Sequence, residues 1–149
     1  MKFNYKTYIS IILYLLVVYT NYLANALPIG GVTTGEVSDL LDNLFTPTGF
    51  TFSIWGVIYL SLSVFLVSLF KISENFIQFI GKILPLFCVN CLLNISWIFA
   101  WHYKMFPLSL IIMLCLLYTL IYISRIIRYH YKDFKSSYLY NITSFSFNI

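Results

Sequence analysis

Charge is what this sequence has least of: Lys and Arg number 9 and Asp and Glu 5 in 149 residues, so 9% of the chain is charged, against roughly 25% in soluble domains. So few charges cannot coat a water-soluble globule. A disulfide framework is missing too, since Cys88, Cys91 and Cys115 all fall inside apolar segments, where a thiol behaves as a small hydrophobe. The net charge of +4 is scattered near segment ends rather than gathered on one polar face, which argues against nucleic acid as a partner. No nucleophile-base-acid triad, P-loop or dinucleotide fingerprint occurs, and no enzymatic activity is expected.

What the chain has instead is 60% hydrophobic and 20% aromatic residues, in long runs without the alternation of a barrel strand, so the backbone is expected to satisfy itself as helices in lipid. Four stretches approach the about 20 residues that cross a hydrocarbon core: Tyr8 to Ala26, Thr51 to Phe70, Ile83 to Trp101 and Pro107 to Ser124. None contains an acidic or basic residue. The expected fold is therefore an all-α integral membrane protein, a bundle of about four transmembrane helices forming one membrane domain over residues 1–149. A loop over 27–50, a stretch KISENFIQFIGK from Lys71 to Lys82, a short HYKMF turn and a tail over 125–149 connect and end them.

Basic residues set the expected orientation, because short cytoplasmic flanks carry the excess of Lys and Arg. Lys2, Lys6, Lys71, Lys82, Arg125, Arg128, Lys132 and Lys135 all fall on one side; the other side holds only Lys104. The first loop carries Glu36, Asp39 and Asp42 and no basic residue. This places the N terminus and the C-terminal tail in the cytoplasm of a multi-pass protein of the cell membrane. A competing reading takes MKFNYK, the apolar run and Ala24-Asn25-Ala26 as a secretory signal with an A-x-A cleavage site; mature protein would then start at Leu27. Phe76 to Ile80 and Arg125 to Lys135 read as interfacial segments, aromatic and basic at headgroup level. The last residues, SSYLYNITSFSFNI, read as too polar and too short for a fifth crossing.

The third stretch carries the most chemical information. Phe87, Asn90, Asn94, Trp97 and Trp101 recur at steps of 3 or 4, and so share one helix face. An amide in a bilayer needs partners, so this face points into the bundle or a cavity. Interhelical hydrogen bonding and a ligand pocket both satisfy that condition. The second stretch offers a matching face in Phe52, Trp55 and Tyr59, beside the small residues Ser53, Gly56 and Ser63. A rigid aromatic wall next to a close-packed seam suits a flat apolar ligand; an aromatic belt is the bland alternative. The first loop, with Thr46-Pro47 as its breaker, could fold over the mouth as a lid, its acidic residues forming a solvated face without Ca²⁺-loop spacing.

Other signals carry less. Cys88-Val-Asn-Cys91 lacks a partner pair for zinc or redox work, and His102 and His130 are expected at opposite membrane faces, unable to share a metal. The sequons Asn94-Ile-Ser96 and Asn141-Ile-Thr143 are expected to go unused, one in lipid and one in the cytoplasm.

The segments FTPTGFTFSIWGVIYL from Phe45 and LLNISWIFAWHY from Leu92 resemble the tryptophan-rich sensory protein family, TspO/MBR, whose animal members are the translocator proteins. The region NYLANALPIGGVTTGEVSD from Asn21 is similar to its longer, divergent prokaryotic branch. The resemblance implies a non-enzymatic, receptor-like bundle that binds porphyrins, haem or other tetrapyrroles, or sterol-like or drug-like apolar molecules, linked to stress or tetrapyrrole regulation. No covalently held cofactor is expected. It implies a pocket at Trp55, Tyr59, Asn94 and Trp97, to which Phe52 and Asn90 are added here from the shared faces. Two departures stand out: Phe52 and Trp55 are three apart rather than four, and the usual double proline is reduced to Pro47. Family members have five crossings, so the bundle is expected to be TspO-like but incomplete, its further helix supplied by lost sequence or by a partner. The expected neighbours are the lipid bilayer and either a second copy of the chain or partner membrane helices. The rival function is a structural or transport subunit whose stripe packs on a partner. A third is an enzyme acting on bound porphyrin in light.

Overall fold

Apolar runs of this length must close their backbone hydrogen bonds internally, and in the computed structural model they do so as helices. The structure describes the backbone of residues 5–27, 29–40, 49–68 and 74–146, and the side chains of 5–27, 29–40, 50–67 and 79–130. The order is α1 (Tyr5–Ala26), a 3-10 turn (Ile29–Gly31), α2 (Thr34–Asp39), a second 3-10 turn (Gly49–Ser53), α3 (Ile54–Ser68), α4 (Glu74–His102) and α5 (Phe106–Ser146). No strand occurs among the described residues. Four segments among them, Tyr5–Gly31, Phe50–Val67, Phe79–His102 and Phe106–His130, are long and apolar enough to cross a membrane. The architecture is thus the all-α, four-span membrane bundle expected. The Thr46-Pro47 breaker, Asp42, Lys2 and Lys71 lie outside the described residues, as do the side chains of Glu74, Phe76, Lys132, Lys135 and Asn141.

Two boundaries differ from expectation. The segment Phe76 to Ile80, expected as a headgroup-level turn, is helical and continuous with α4. Its apolar period explains this: Phe79, Ile80, Ile83, Leu84, Phe87 and Cys91 are all buried in one continuous core cluster, so the same buried stripe runs through Gly81 and Lys82 unbroken. Pro85 lies inside the helix, where it lacks an N–H and its ring crowds the carbonyl four residues back, that of Gly81. Likewise the residues after Ser124, expected as an interfacial segment and tail, continue α5 as helix to Ser146. No Gly or Pro follows Pro107, so nothing in that segment stops the helix. At 41 residues α5 is about 60 Å long, twice a hydrocarbon core of about 30 Å.

Side-chain contacts give the directions. Ser10 meets Cys88 at 3.3 Å, and Ala24 packs in one cluster with Trp97 and Ile98, so α1 and α4 run parallel. Tyr59 meets Asn94, Asn90 meets Thr119 and Phe79 meets His130, so α3 and α5 run the other way. The described cations Lys6, Lys82, Arg125 and Arg128 therefore gather toward one end and Lys104 stands at the other.

Helix α4 packs backbone to backbone against α1 and α5. Helix α3 joins the others mainly through long side chains. The Tyr14 hydroxyl reaches the Tyr59 carbonyl and the Ser63 hydroxyl, each at 2.6 Å, and Phe65 packs on Phe87 with centroids 6.5 Å apart.

The ends are also fixed locally. After α4, Lys104 takes the left-handed conformation (φ 58), Met105 N–H donates to the Ala100 carbonyl (2.8 Å) and Lys104 N–H to that of Trp101 (3.0 Å). This is the Schellman pattern, and it satisfies carbonyls a helix end would leave open.

Candidate functional site

The four long helices leave a cavity of about 250 Å³ at mid-depth. Helix α4 gives it Phe87, Asn90, Cys91 and Asn94; α3 gives Trp55, Ile58, Tyr59 and Leu62; α1 gives Tyr14 and Val17; α5 closes it with Met113 and the aliphatic face from Leu116 to Ile123. Asn90 and Asn94 are one turn apart on α4 and so present their amides to the same space. Neither is loose. The Tyr59 hydroxyl donates to Asn94 Oδ1 at 3.2 Å, and Asn90 Nδ2 donates to Thr119 Oγ1 at 2.8 Å; Thr119 in turn donates to the Leu116 carbonyl at 2.8 Å.

One polar atom of each amide remains. Among the described residues Asn94 Nδ2 and Asn90 Oδ1 have no hydrogen-bond partner. No fully enclosed side-chain nitrogen or oxygen among those residues lacks one, so these two atoms are not sealed off, and both residues line the cavity. It therefore offers one amide donor and one amide acceptor inside otherwise apolar walls, where an unmet polar group costs free energy.

Toward the loop end the walls become aromatic. Trp55 and Trp97 have ring centroids 5.4 Å apart, Trp97 stacks on Trp101 at 6.0 Å, and Trp55 stacks on Tyr59 at 6.0 Å. Helix α2 lies over this end with Thr34, Val37 and Ser38 buried. Trp101 Nε1–H donates to the Thr34 carbonyl at 3.1 Å, and Thr34 Oγ1 lies 3.4 Å from His102 Nε2. Gly30, at φ 69, passes close to the His102 carbonyl, 3.4 Å from where a Cβ would stand; both its backbone conformation and the space favour glycine. A capping box starts α2: Glu36 N–H donates to Thr33 Oγ1 (3.3 Å) and Thr33 N–H to Glu36 Oε2 (2.7 Å). The Thr33 backbone and hydroxyl hold the Glu36 carboxyl below its ordinary pKa.

Of the residues singled out by sequence, Trp55, Tyr59, Asn90 and Asn94 line the cavity. Trp97 is buried and stands behind Trp55 as part of the indole stack. Phe52 sits in the 3-10 turn before α3, off the helical face assumed for it, and does not line the space. Glu36 and Asp39 are exposed, and the described residues hold no group of His, Cys, Asp and Glu able to bind a metal. His102 is buried against Ile98 and Thr34 while His130 packs edge-on to Phe79, so the two are at opposite ends. Cys88 and Cys91 are both free thiols.

Sequence reasoning missed the outer helices. Tyr14, Val17 and the α5 face are wall residues, and none of them was singled out from sequence. A signal existed in α1, where Ser10, Tyr14 and Asn21 break an apolar run. In α5 the wall residues themselves gave none, because Leu and Met look alike whether they meet lipid or a cavity.

A family model described as TSPO-like protein matches residues 7–148, which takes in all four long helices. No curated protein and no solved structure matches the chain.

Proposed function

Because the chain belongs to the TSPO-like protein family, a non-catalytic sensory and transport family, we propose that it is a membrane sensory protein that holds a porphyrin or another flat apolar ligand in the mid-depth cavity. The observation that carries this reading is the pair of cavity-lining amides, Asn94 and Asn90, whose Nδ2 and Oδ1 have no hydrogen-bond partner among the described residues. A ligand with one hydrogen-bonding group satisfies them while its body lies against Trp55 and Tyr59, a use of rigid aromatic area that costs little conformational entropy. The cavity is smaller than the usual ligand pocket of about 300–1,000 Å³. A tetrapyrrole therefore spreads α3 from α5 or projects between them.

The rival, a structural or transport subunit whose stripe packs on a partner chain, has less support. Asn94 and Trp97 are only 7% and 5% exposed, so the stripe is already used within the chain. Lys6, Lys82, Arg125 and Arg128 at one end favour a cytoplasmic N terminus and α5 end. Tyr14 and Val17 in the cavity wall favour retention of α1 in the mature protein over its cleavage as a signal.

Quenching of tryptophan fluorescence by protoporphyrin, titrated into protein in lipid nanodiscs, tests the reading. Saturable quenching is expected, weakened about tenfold by Asn94→Ala, the loss of one hydrogen bond to a buried group. Quenching that never saturates, or that Asn94→Ala and Trp97→Phe leave unchanged, removes the pocket.

A further inference from the structure

The end of α4 carries a histidine whose burial the cavity does not explain. His102 is 2% exposed and is not among the residues that line the cavity. Its Nδ1 lies 2.7 Å from the Ile98 carbonyl. A carbonyl only accepts, so Nδ1 carries the hydrogen. In the neutral ring Nε2 is then an acceptor, and the Thr34 hydroxyl donates to it across 3.4 Å. The adjacent Trp101 Nε1–H donates to the carbonyl of the same Thr34. Two successive residues of α4 thus hold one residue of α2, and one of the two bonds in this form needs an uncharged imidazole.

Little else seats α2. At six residues it is far too short to persist as an isolated helix, and it packs chiefly on the 3-10 turn Gly49–Ser53 and on α4. Besides Thr34 it buries only Val37 and Ser38.

Protonation changes the contact in two ways. Nε2 gains a hydrogen aimed at the hydrogen of the Thr34 hydroxyl, so that hydroxyl must turn, and among the described residues it has no second partner to turn to. The ring also becomes a cation closed off from water, where an unpaired charge is strongly unfavourable. The groups that could offset it do not bond the ring. On α2, Glu36 is bonded to Thr33 and Asp39 is exposed. The turn Ile29–Gly31 has no titratable side chain, and Tyr22 near the end of α1 is 63% exposed. Tyr103 and Lys104 follow α4, the second a like charge, and α5 has no titratable side chain before Cys115. A helix C-terminus favours a cation through its open carbonyls. Here those of Ile98, Phe99, Ala100 and Trp101 already accept, from His102 Nδ1 and from the N–H groups of Tyr103, Met105 and Lys104.

We propose that the seat of α2 on α4 is a proton-released latch, closed while His102 is neutral and opened when acid on that side of the membrane charges the ring. As regulation of the cavity it rests on the ligand-binding reading above, because what α2 uncovers is the Trp101 end of the indole stack. The latch's contribution is complete above the range in which imidazoles titrate and is lost as pH falls through it. Loss of the Glu36 cap belongs to the lower, carboxylate range, so the two responses are separate in pH.

Quenching of tryptophan fluorescence by iodide, which stays in water, tests the latch in nanodiscs with no ligand added. The open fraction is expected to rise as pH falls from about 7.5 to 5.5, by up to about tenfold per pH unit, the limit for one proton. The ring-carbon NMR signals of His102, told from those of His130 by the spectrum of His130→Gln, are expected to titrate with the same midpoint. His102→Asn keeps an N–H for the Ile98 carbonyl but takes up no proton, and is expected to leave iodide quenching flat over this range. A ring that titrates while quenching stays constant, a ring that stays neutral throughout, or a rise that persists in His102→Asn overturns the latch. Should His102→Asn misfold, agreement or disagreement of the two midpoints in the unaltered protein decides alone. The pocket stands or falls separately: loss of saturable quenching by protoporphyrin removes it and leaves the latch in place.

Discussion

Helices α3 and α4 are equally apolar and play opposite parts. Their spans have mean hydropathy of 2.0 and 1.9, yet 11% of the first and 44% of the second is buried. In water such a difference would follow from hydrophobicity. In a bilayer it cannot, because lipid tails solvate Leu as well as protein does. Burial follows polar residues and shape instead. Helix α4 holds Asn90 and Asn94 at mid-depth and a continuous stripe from Phe79 to Ile98, and so needs neighbours on both sides. Helix α3 is tied at fewer points, through Tyr59, Trp55 and the Tyr14 to Ser63 contact.

The largest test of this contrast is truncation in each helix. Trp97→Ala removes a buried indole from the stack and is expected to destabilise by about 3–5 kcal/mol, read from unfolding in mild detergent. Leu60→Ala on α3, 67% exposed, is expected to stay within about 0.5 kcal/mol. Equal losses would mean that α3 is as much core as α4.

A smaller effect is expected from Tyr14→Phe, which deletes the hydroxyl joining α1 to the Tyr59 carbonyl and Ser63. The loss should be about 1 kcal/mol, the usual scale for such a bond within a membrane. Its distinguishing sign is where it is felt: amide exchange should rise along α3 and stay unchanged along α4. Parallel increases in both helices would show that α3 is not separately tethered.

The smallest effect concerns α2, which belongs to neither helix but covers the indoles of both. Glu36 has its pKa lowered by the bonds from Thr33, so the cap's contribution is complete above the ordinary carboxylate pKa and is lost as pH falls through the lowered one. Exchange of the Val37 amide, which donates to the Thr33 carbonyl at 3.1 Å, should accelerate in acid beyond its intrinsic trend. Thr33→Ala should abolish that excess. An unchanged pH profile in the variant would detach the effect from the cap.

Much of this was legible beforehand, for physical reasons that differ along the chain. The number of spans follows from run length against bilayer thickness, and the α4 face from amides and indoles recurring at helical spacing. The early part of α4 was hidden because Gly81, Lys82 and Pro85 look locally like a break; only the burial of Phe79 and Ile80 shows that the period passes through them. The helical continuation of α5 past Ser124 is not legible from apolar patterning, because a helix beyond the lipid needs no apolar face. Phe52 was assigned to a helical face by counting back from Trp55, and the 3-10 turn at Gly49–Ser53 changes that count. The α5 wall could not be read from its own residues at all.

Only Tyr103, Lys104 and Met105 separate α4 from α5, and their bonding leaves no slack. That short connection acts as a phase lock. Each residue of a helix turns about 100° around its axis, so one residue added to or removed from this turn would rotate α5 by that angle relative to α4. Thr119 would swing away from Asn90, and a different set of aliphatic side chains would face the cavity. The composition of a wall in mid-membrane is therefore set by the residue count of a turn at the membrane surface.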